Sequence, residues 1–197
     1  MKTLPTFVIA SNNSNKTNEL IECFNFLGLH AQSYQDFIAP LEFPNEATTT
    51  YLDNARGKAL FIAKYLPEEW VIADDSGMEL QALPDELGVT TARQLKPCQN
   101  MNELNDKILA LVANKSRIVK MVSQLVLITS NKVEFIARGE FKGTIATREC
   151  GTNGTSFDLI LVPQGMQQTL AQLPDREKLP LLHRTKAIKN LISQLGD

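Results

Sequence analysis

Cysteine is scarce in this 197-residue chain. Cys23, Cys98 and Cys150 are odd in number, far apart and never set as C-x-x-C, which excludes a disulfide framework and a cysteine zinc site. All three are expected to be reduced and structural, since free cysteine packs as a small hydrophobe. An excess of one charge is also lacking: 20 Lys+Arg stand against 22 Asp+Glu, a formal net charge of -2. No bulk field therefore draws the chain onto nucleic acid or an anionic membrane, and any phosphate binding must be local. The longest apolar stretch, around Leu125 to Ile128, is far below the ~18 residues of a membrane span. The run Phe7-Val8-Ile9-Ala10 breaks into Ser11-Asn12-Asn13, too short for a signal peptide, so a cytoplasmic location is expected. No repeat, low-complexity tract or Pro/Gly/Ser linker divides the sequence, and residues 1–197 are read as one domain. At this size folding hides roughly 70% of the unfolded chain's surface, enough for one sizeable core.

What is present is an alternation of strand and helix patterns, which points to the α/β class. Thr6 to Ala10 reads as a short buried strand, followed by a helix from Lys16 to Leu27 that carries Leu20, Phe24 and Leu27 on one stripe and stops at Gly28. Thr50 to Leu66 repeats the helical pattern until Pro67, and Trp70 to Ala73 is a second buried strand. Two long strand-like runs between Ile118 and Phe141 flank Ser130-Asn131-Lys132 and suit a hairpin. Phe157 to Val162 reads as another strand before Pro163, and His183 to Leu195 as a closing amphipathic helix.

P-loop, dinucleotide-binding, zincin and nucleophile-elbow motifs are all missing. Four polar groupings remain as candidates. The loop Ser11-Asn12-Asn13-Ser14-Asn15-Lys16 stands between the first strand and the first helix, where loop amides, the helix N-terminus and Lys16 can converge on a phosphate. The alternative is a plain helix cap by Ser14 or Asn15. Asp74 and Asp75 end a strand rich in Val and Ile. Successive side chains of a strand face opposite ways, so one acid can serve a cleft, as metal ligand or proton acceptor, while the other supports the turn. An Asx-turn at Gly77 is the alternative. Glu46 precedes the second helix, on which Asn54 and Lys58, four apart, share a face; the alternative is a solvated helix face. Lys178 with His183-Arg184 makes a local basic cluster, with surface charge as its alternative.

Read in order, these fragments resemble the inosine triphosphate pyrophosphatase (Ham1-like) family, which hydrolyses deaminated purine nucleoside triphosphates. Ser11-Asn12-Asn13-Ser14-Asn15-Lys16 resembles T/S-x-N-x-x-K, and Glu46 followed by Asp53-Asn54-Ala55-Arg56-Gly57-Lys58-Ala59 resembles E…E-N-A-x-x-K-A. Ala73-Asp74-Asp75-Ser76-Gly77-Met78-Glu79 is similar to A-D-D-S-G-L-E, Gly88 to Arg93 to G-V-x-S-A-R, and Glu177-Lys178 with His183-Arg184 to E-K-x-x-x-S-H-R.

The resemblance implies a two-lobed α/β fold with a long mixed sheet flanked by helices and the substrate cleft between lobes, acting as a homodimer. It implies Mg²⁺ held by Asp75 and Glu46, with Asp75 helping to activate water and Asp74 supporting it. Ser11, Asn12, Asn13, Ser14, Asn15, Lys16 and Lys58 would hold the triphosphate, and Ser76 would touch the nucleotide. Thr155, Phe157, Asp158, Lys178, His183 and Arg184 would face the base. The implied reaction converts ITP, dITP or XTP to the monophosphate and pyrophosphate. A nucleotide-binding protein of the same fold with lost or changed catalysis is the alternative. Where the family pattern runs T-G-G-aromatic-G-aromatic-D-P, this chain has Thr152-Asn153-Gly154-Thr155-Ser156-Phe157-Asp158-Leu159. The phosphate half therefore matches while the base half departs.

Overall fold

The computed structural model describes residues 4–45, 50–95, 100–154 and 156–196, the side chains of 101 and 102 excepted. Glu46, Thr155 and Cys98 lie outside the described residues. Strand β1 (Phe7–Ile9) is apolar at every position and buried throughout, the pattern of a parallel strand covered on both faces. Helix α1 (Ser14–Phe26) starts where Asn13 Oδ1 accepts from the Lys16 N–H at 3.0 Å, so the cap falls to Asn13 and not to Ser14 or Asn15. Strand β2 (Ala31–Ser33), too short and polar to show in the sequence, runs parallel to β1. Helix α2 (Tyr51–Ala63) starts at Thr50, whose hydroxyl accepts from the Asp53 N–H.

Strand β3 (Trp70–Leu80) is eleven residues long and continues through Asp74, Asp75, Ser76 and Gly77. The turn considered at Gly77 is not made, since Gly77 lies inside the strand. Helices α3 (Thr91–Leu95) and α4 (Met101–Leu111) follow, then β4 (Ile118–Ile128) and β5 (Glu134–Ile145). The hairpin expected around Asn131 is present, with Lys132 N–H donating to Thr129 O at 2.8 Å and Thr129 N–H to Val133 O at 3.0 Å. The strand expected over 157–162 is a correction. Residues Ser156–Leu159 form a 3₁₀ turn and only Leu161–Pro163 is strand β6. Ser156 sits at φ 51°, which breaks an extended run before it begins. Helices α5 (Asp175–Lys178) and α6 (His183–Leu195) complete the chain.

The six strands form one mixed sheet in the order β2-β1-β3-β4-β5-β6, with β1 parallel to β3 and β5 antiparallel to β6. Residues divide into two compact units, with boundaries inside β3, β4 and β5. The first comprises Met1–Asp75, Ser123–Gly139 and Arg184–Asp197. In it Val8, Ala10, Val71 and Ala73 pack with Ala55, Ala59 and Ile62 of α2, while Phe7, facing the other way, meets Phe24 of α1 at 4.8 Å between ring centroids. The second comprises Ser76–Val122 and Glu140–His183, with Met78, Leu80, Ile108, Val119, Phe141 and Ile160 among its buried apolar residues. Among the described residues no helix is long and apolar enough to cross a membrane.

Candidate active site

Two carboxylates end the first unit's share of β3, and the pleat sends them to different partners. Asp75 belongs to α2: Lys58 Nζ donates to its Oδ1 at 3.1 Å and Asn54 Nδ2 to its Oδ2 at 3.0 Å. The four-residue spacing of Asn54 and Lys58 does put both on one face, and that face is turned to the carboxylate, so the solvated-face alternative falls. Lys58 Nζ also donates to the Asp74 carbonyl at 2.9 Å.

Asp74 belongs to α1, β4 and α6. Its side chain is fully buried; Ser123 donates to Oδ1 at 2.6 Å, while Lys16 Nζ and Arg184 Nε stand 3.3 and 3.4 Å from Oδ2. Arg184 turns its Nη1 to Glu19 at 2.6 Å. One buried anion thus fixes a lysine from the first helix and an arginine from the last. Burial works against the Arg184 charge, but Glu19 and Asp74 outweigh it and hold the guanidinium above its ordinary pKa. Burial pulls the Lys16 ammonium below its usual value despite Asp74.

The loop before α1 divides its labour. Asn12 is spent on bracing: its Oδ1 accepts from Tyr34 and Gln35, and its Nδ2 donates to Leu41 O at 2.8 Å. Ser11 Oγ accepts from the Asn13 N–H, and Asn13 caps the helix. Ser14 and Asn15 are exposed on the first turn. The positive helix end and Lys16 are thereby presented on a rigid loop, the arrangement that suits a phosphate.

Around the two carboxylates, Lys16, Lys58 and Arg184 balance Asp74, Asp75 and Glu19, so a polyphosphate entering here adds negative charge to a neutral set. Burial pushes the Asp75 carboxyl above its usual range although Lys58, Lys16 and Asn54 oppose it. That carboxylate is under-compensated. Asn54 Oδ1 is buried and has no hydrogen-bond partner among the described residues. A carboxylate and an amide oxygen are hard donors that fit a hard divalent cation such as Mg²⁺. Among the described residues no group of three or more His, Cys, Asp or Glu forms a metal cluster, and Glu46 lies outside them.

The second unit holds the other candidates. Lys178 is buried, with Nζ donating to Asn153 O at 3.3 Å and standing 3.5 Å from Asp175 and 3.9 Å from Asp158. His183 is buried, while Ser76, Phe157 and Asp158 are half-buried. Gly154 is required where it stands: at φ 136° a Cβ would collide with the Asp158 side chain. Ser156 takes a left-handed conformation where the resembled pattern has glycine, at a cost of about 1–2 kcal/mol. Asn105, fully buried on α4, donates to Ser156 O at 2.9 Å and to Glu149 at 2.6 Å, bracing that strained residue.

Sequence reasoning missed Glu19, Ser123, Asn105 and Asn153 as supports. Ser123 alone left a signal, as a hydroxyl inside the apolar run of β4.

Residues 7–194 match the Ham1 family. The chain belongs to the Ham1 family. A dihydroneopterin triphosphate diphosphatase of Limosilactobacillus reuteri is 43% identical over 191 residues, which are 97% of this chain and 98% of that relative. A dITP/XTP pyrophosphatase of Streptococcus agalactiae is 35% identical over 95% of this chain, which spans 58% of that longer relative. The Ham1 protein of Staphylococcus aureus has the same fold, with a TM-score of 0.80, 30% identity and 98% of both chains covered. The mixed sheet flanked by helices is thus the Ham1 architecture, as the resemblance implied.

Proposed function

We propose that this Ham1-family chain is a Mg²⁺-dependent triphosphate pyrophosphatase, converting the triphosphate of a keto-bearing heterocycle to its monophosphate and pyrophosphate. The observation that carries the reading is the buried Asp75 held by Lys58 and Asn54, next to Asp74 with Lys16. Asp75 and Glu46 would hold the metal, which when bound supplies charge neutralisation for the phosphoryl centre. Asp75 accepts the proton of the attacking water. Lys16, Lys58 and the loop of Ser11 to Asn15 bind the phosphates, and Asp74 keeps Lys16 and Arg184 in place. Positioning and fixed charge suffice, because phosphoanhydride hydrolysis needs no exotic side chain. Ser76, Thr155, Phe157, Asp158, Lys178, His183 and Arg184 serve the nucleotide's heterocyclic end. Residues 1–197 act in this reading as one domain of a cytoplasmic homodimer, without nucleic-acid or membrane partners.

If the lysines serve phosphate, Lys16→Ala and Lys58→Ala weaken triphosphate substrates far more than the corresponding nucleosides, measured as KM against nucleoside inhibition constants. Equal losses for both ligand types place the lysines elsewhere.

Two substrate classes fit the heterocyclic end. Lys178, His183 and Arg184 are donors, which suit the keto oxygen of ITP, dITP or XTP and oppose the amino group of ATP. A dihydropterin also carries a ring keto group, and dihydroneopterin triphosphate is the second reading. The 43% identity to the Limosilactobacillus reuteri relative across both full lengths favours it, as does the departure of 153–159 from the purine-family pattern. Pyrophosphate release with Mg²⁺ across dihydroneopterin triphosphate, ITP, dITP, XTP and ATP tests both. The keto-bearing substrates are expected to exceed ATP roughly tenfold to hundredfold in kcat/KM, the effect of one or two unpaired buried donors, with dihydroneopterin triphosphate first. ATP as the fastest substrate contradicts the proposal.

A further inference from the structure

A buried lysine needs its ammonium fixed by partners; besides Asp158 at 3.9 Å, two of those of Lys178 belong to a ring that closes through one residue. Lys178 Nζ donates to Asn153 O at 3.3 Å and pairs with Asp175 Oδ1 at 3.5 Å. That same Asp175 oxygen accepts from Asn153 Nδ2 at 2.9 Å, and Asn153 Nδ2 also donates to Leu173 O at 2.6 Å. Asn153 therefore holds the ammonium through its carbonyl and holds the ammonium's carboxylate through its amide. The backbone leading into Asn153 is anchored as well: the Thr152 and Asn153 N–H groups both donate to Ala171 O, at 3.0 and 2.8 Å. Gly151 approaches Ala171 so closely that a Cβ would strike its carbonyl.

We propose that Asn153 is a specificity-determining positioning residue, which through Asp175 and Leu173 sets where Lys178 stands for recognition of the substrate's heterocycle. The inference rests on the proposed function and concerns a residue to which that reading gives no role.

Asp175 is more than half exposed, and an ion pair to such a carboxylate is weak and easily rearranged in water. The directional amide bond from Asn153 is what keeps its oxygen beside Lys178. Asn153 holds the Asp175 carboxyl below its ordinary range, ahead of Lys178 in effect, which is consistent with that order. Asn153 lies outside the left-handed region, so alanine removes the amide without backbone strain.

The test compares wild type, Asn153→Ala and Asp175→Asn for kcat/KM on dihydroneopterin triphosphate, ITP and ATP. Asn153→Ala is expected to lower kcat/KM on the keto-bearing substrates about tenfold, the loss of one positioned hydrogen bond, mainly through KM. ATP should change less than threefold, so selectivity collapses. Asp175→Asn is expected to reproduce the pattern in weaker form. NMR titration of Asp175 supplies a readout free of turnover: Asn153→Ala should raise its pKa toward the usual carboxylate range, with Lys178 still holding it down in part. A uniform fall for all substrates, or an unchanged selectivity ratio, reduces Asn153 to a structural residue and overturns the inference. So does an unmoved Asp175 titration. A wild type that turns over none of the triphosphates refutes the proposed function instead. The inference is then decided by the affinities of inosine and dihydroneopterin against adenosine: their discrimination, lost in Asn153→Ala, supports it, and equal or absent binding overturns it.

Discussion

Asp75→Asn is expected to abolish pyrophosphate release and to leave the protein at least as stable as wild type in metal-free buffer. The amide keeps the shape but holds no divalent cation and takes no proton, so turnover falls by about 10²- to 10⁴-fold from lost proton transfer alone. The stability sign follows from linkage. Burial holds the Asp75 carboxyl above its ordinary value in the folded state, so the native protein binds that proton more tightly than the unfolded chain does. The carboxyl therefore carries no penalty below its unfolded pKa. Stability is lost as pH rises from there through the raised folded value, and above that value the full penalty is in place. A neutral amide escapes it. Melting curves with a chelator from pH 4 to 8 should show wild type converging with the variant at the acid end and falling behind it at the neutral end. Activity within a few-fold of wild type removes Asp75 from the mechanism, and a Tm several degrees lower removes the electrostatic account.

Asp74→Asn, one residue earlier, should do the opposite to stability. Its carboxylate is fully buried and is the shared counter-ion of Lys16 and Arg184, and removing one partner of a buried ion pair costs about 3–5 kcal/mol. For a chain of this size that corresponds to a Tm lowered by roughly 6 to 20 °C. Turnover falls as well, because Lys16 loses the group that holds it. Thermal melts of the two variants side by side read the contrast. A Tm for Asp74→Asn within two degrees of wild type means that Arg184, paired with Glu19, and Lys16 keep their places without it.

The contrast between the two aspartates was legible in the sequence, because strand alternation alone assigns neighbours to opposite sides. Which side each serves was not, since Glu19, Ser123 and Arg184 come from places far apart in the chain. The spacing of Asn54 and Lys58 was legible because helix geometry is local. The strand read over 157–162 holds only for Leu161 and Val162, because apolar residues in a short run suit a strand as well as a 3₁₀ turn, and the left-handed backbone of Ser156 leaves no compositional mark. Likewise β2 is three residues with one of them buried, too little pattern to register. The ring of Asn153, Asp175 and Lys178 depends on a turn bringing α5 to the 152–154 loop, which no periodicity encodes.

The central claim is that water attacks the α-phosphorus and pyrophosphate departs. Hydrolysis of dihydroneopterin triphosphate or ITP in ¹⁸O-labelled water with Mg²⁺, with mass analysis of both products, tests it most directly. The account predicts monophosphate carrying the label and unlabelled pyrophosphate. Label in pyrophosphate, or release of orthophosphate and a diphosphate, contradicts it.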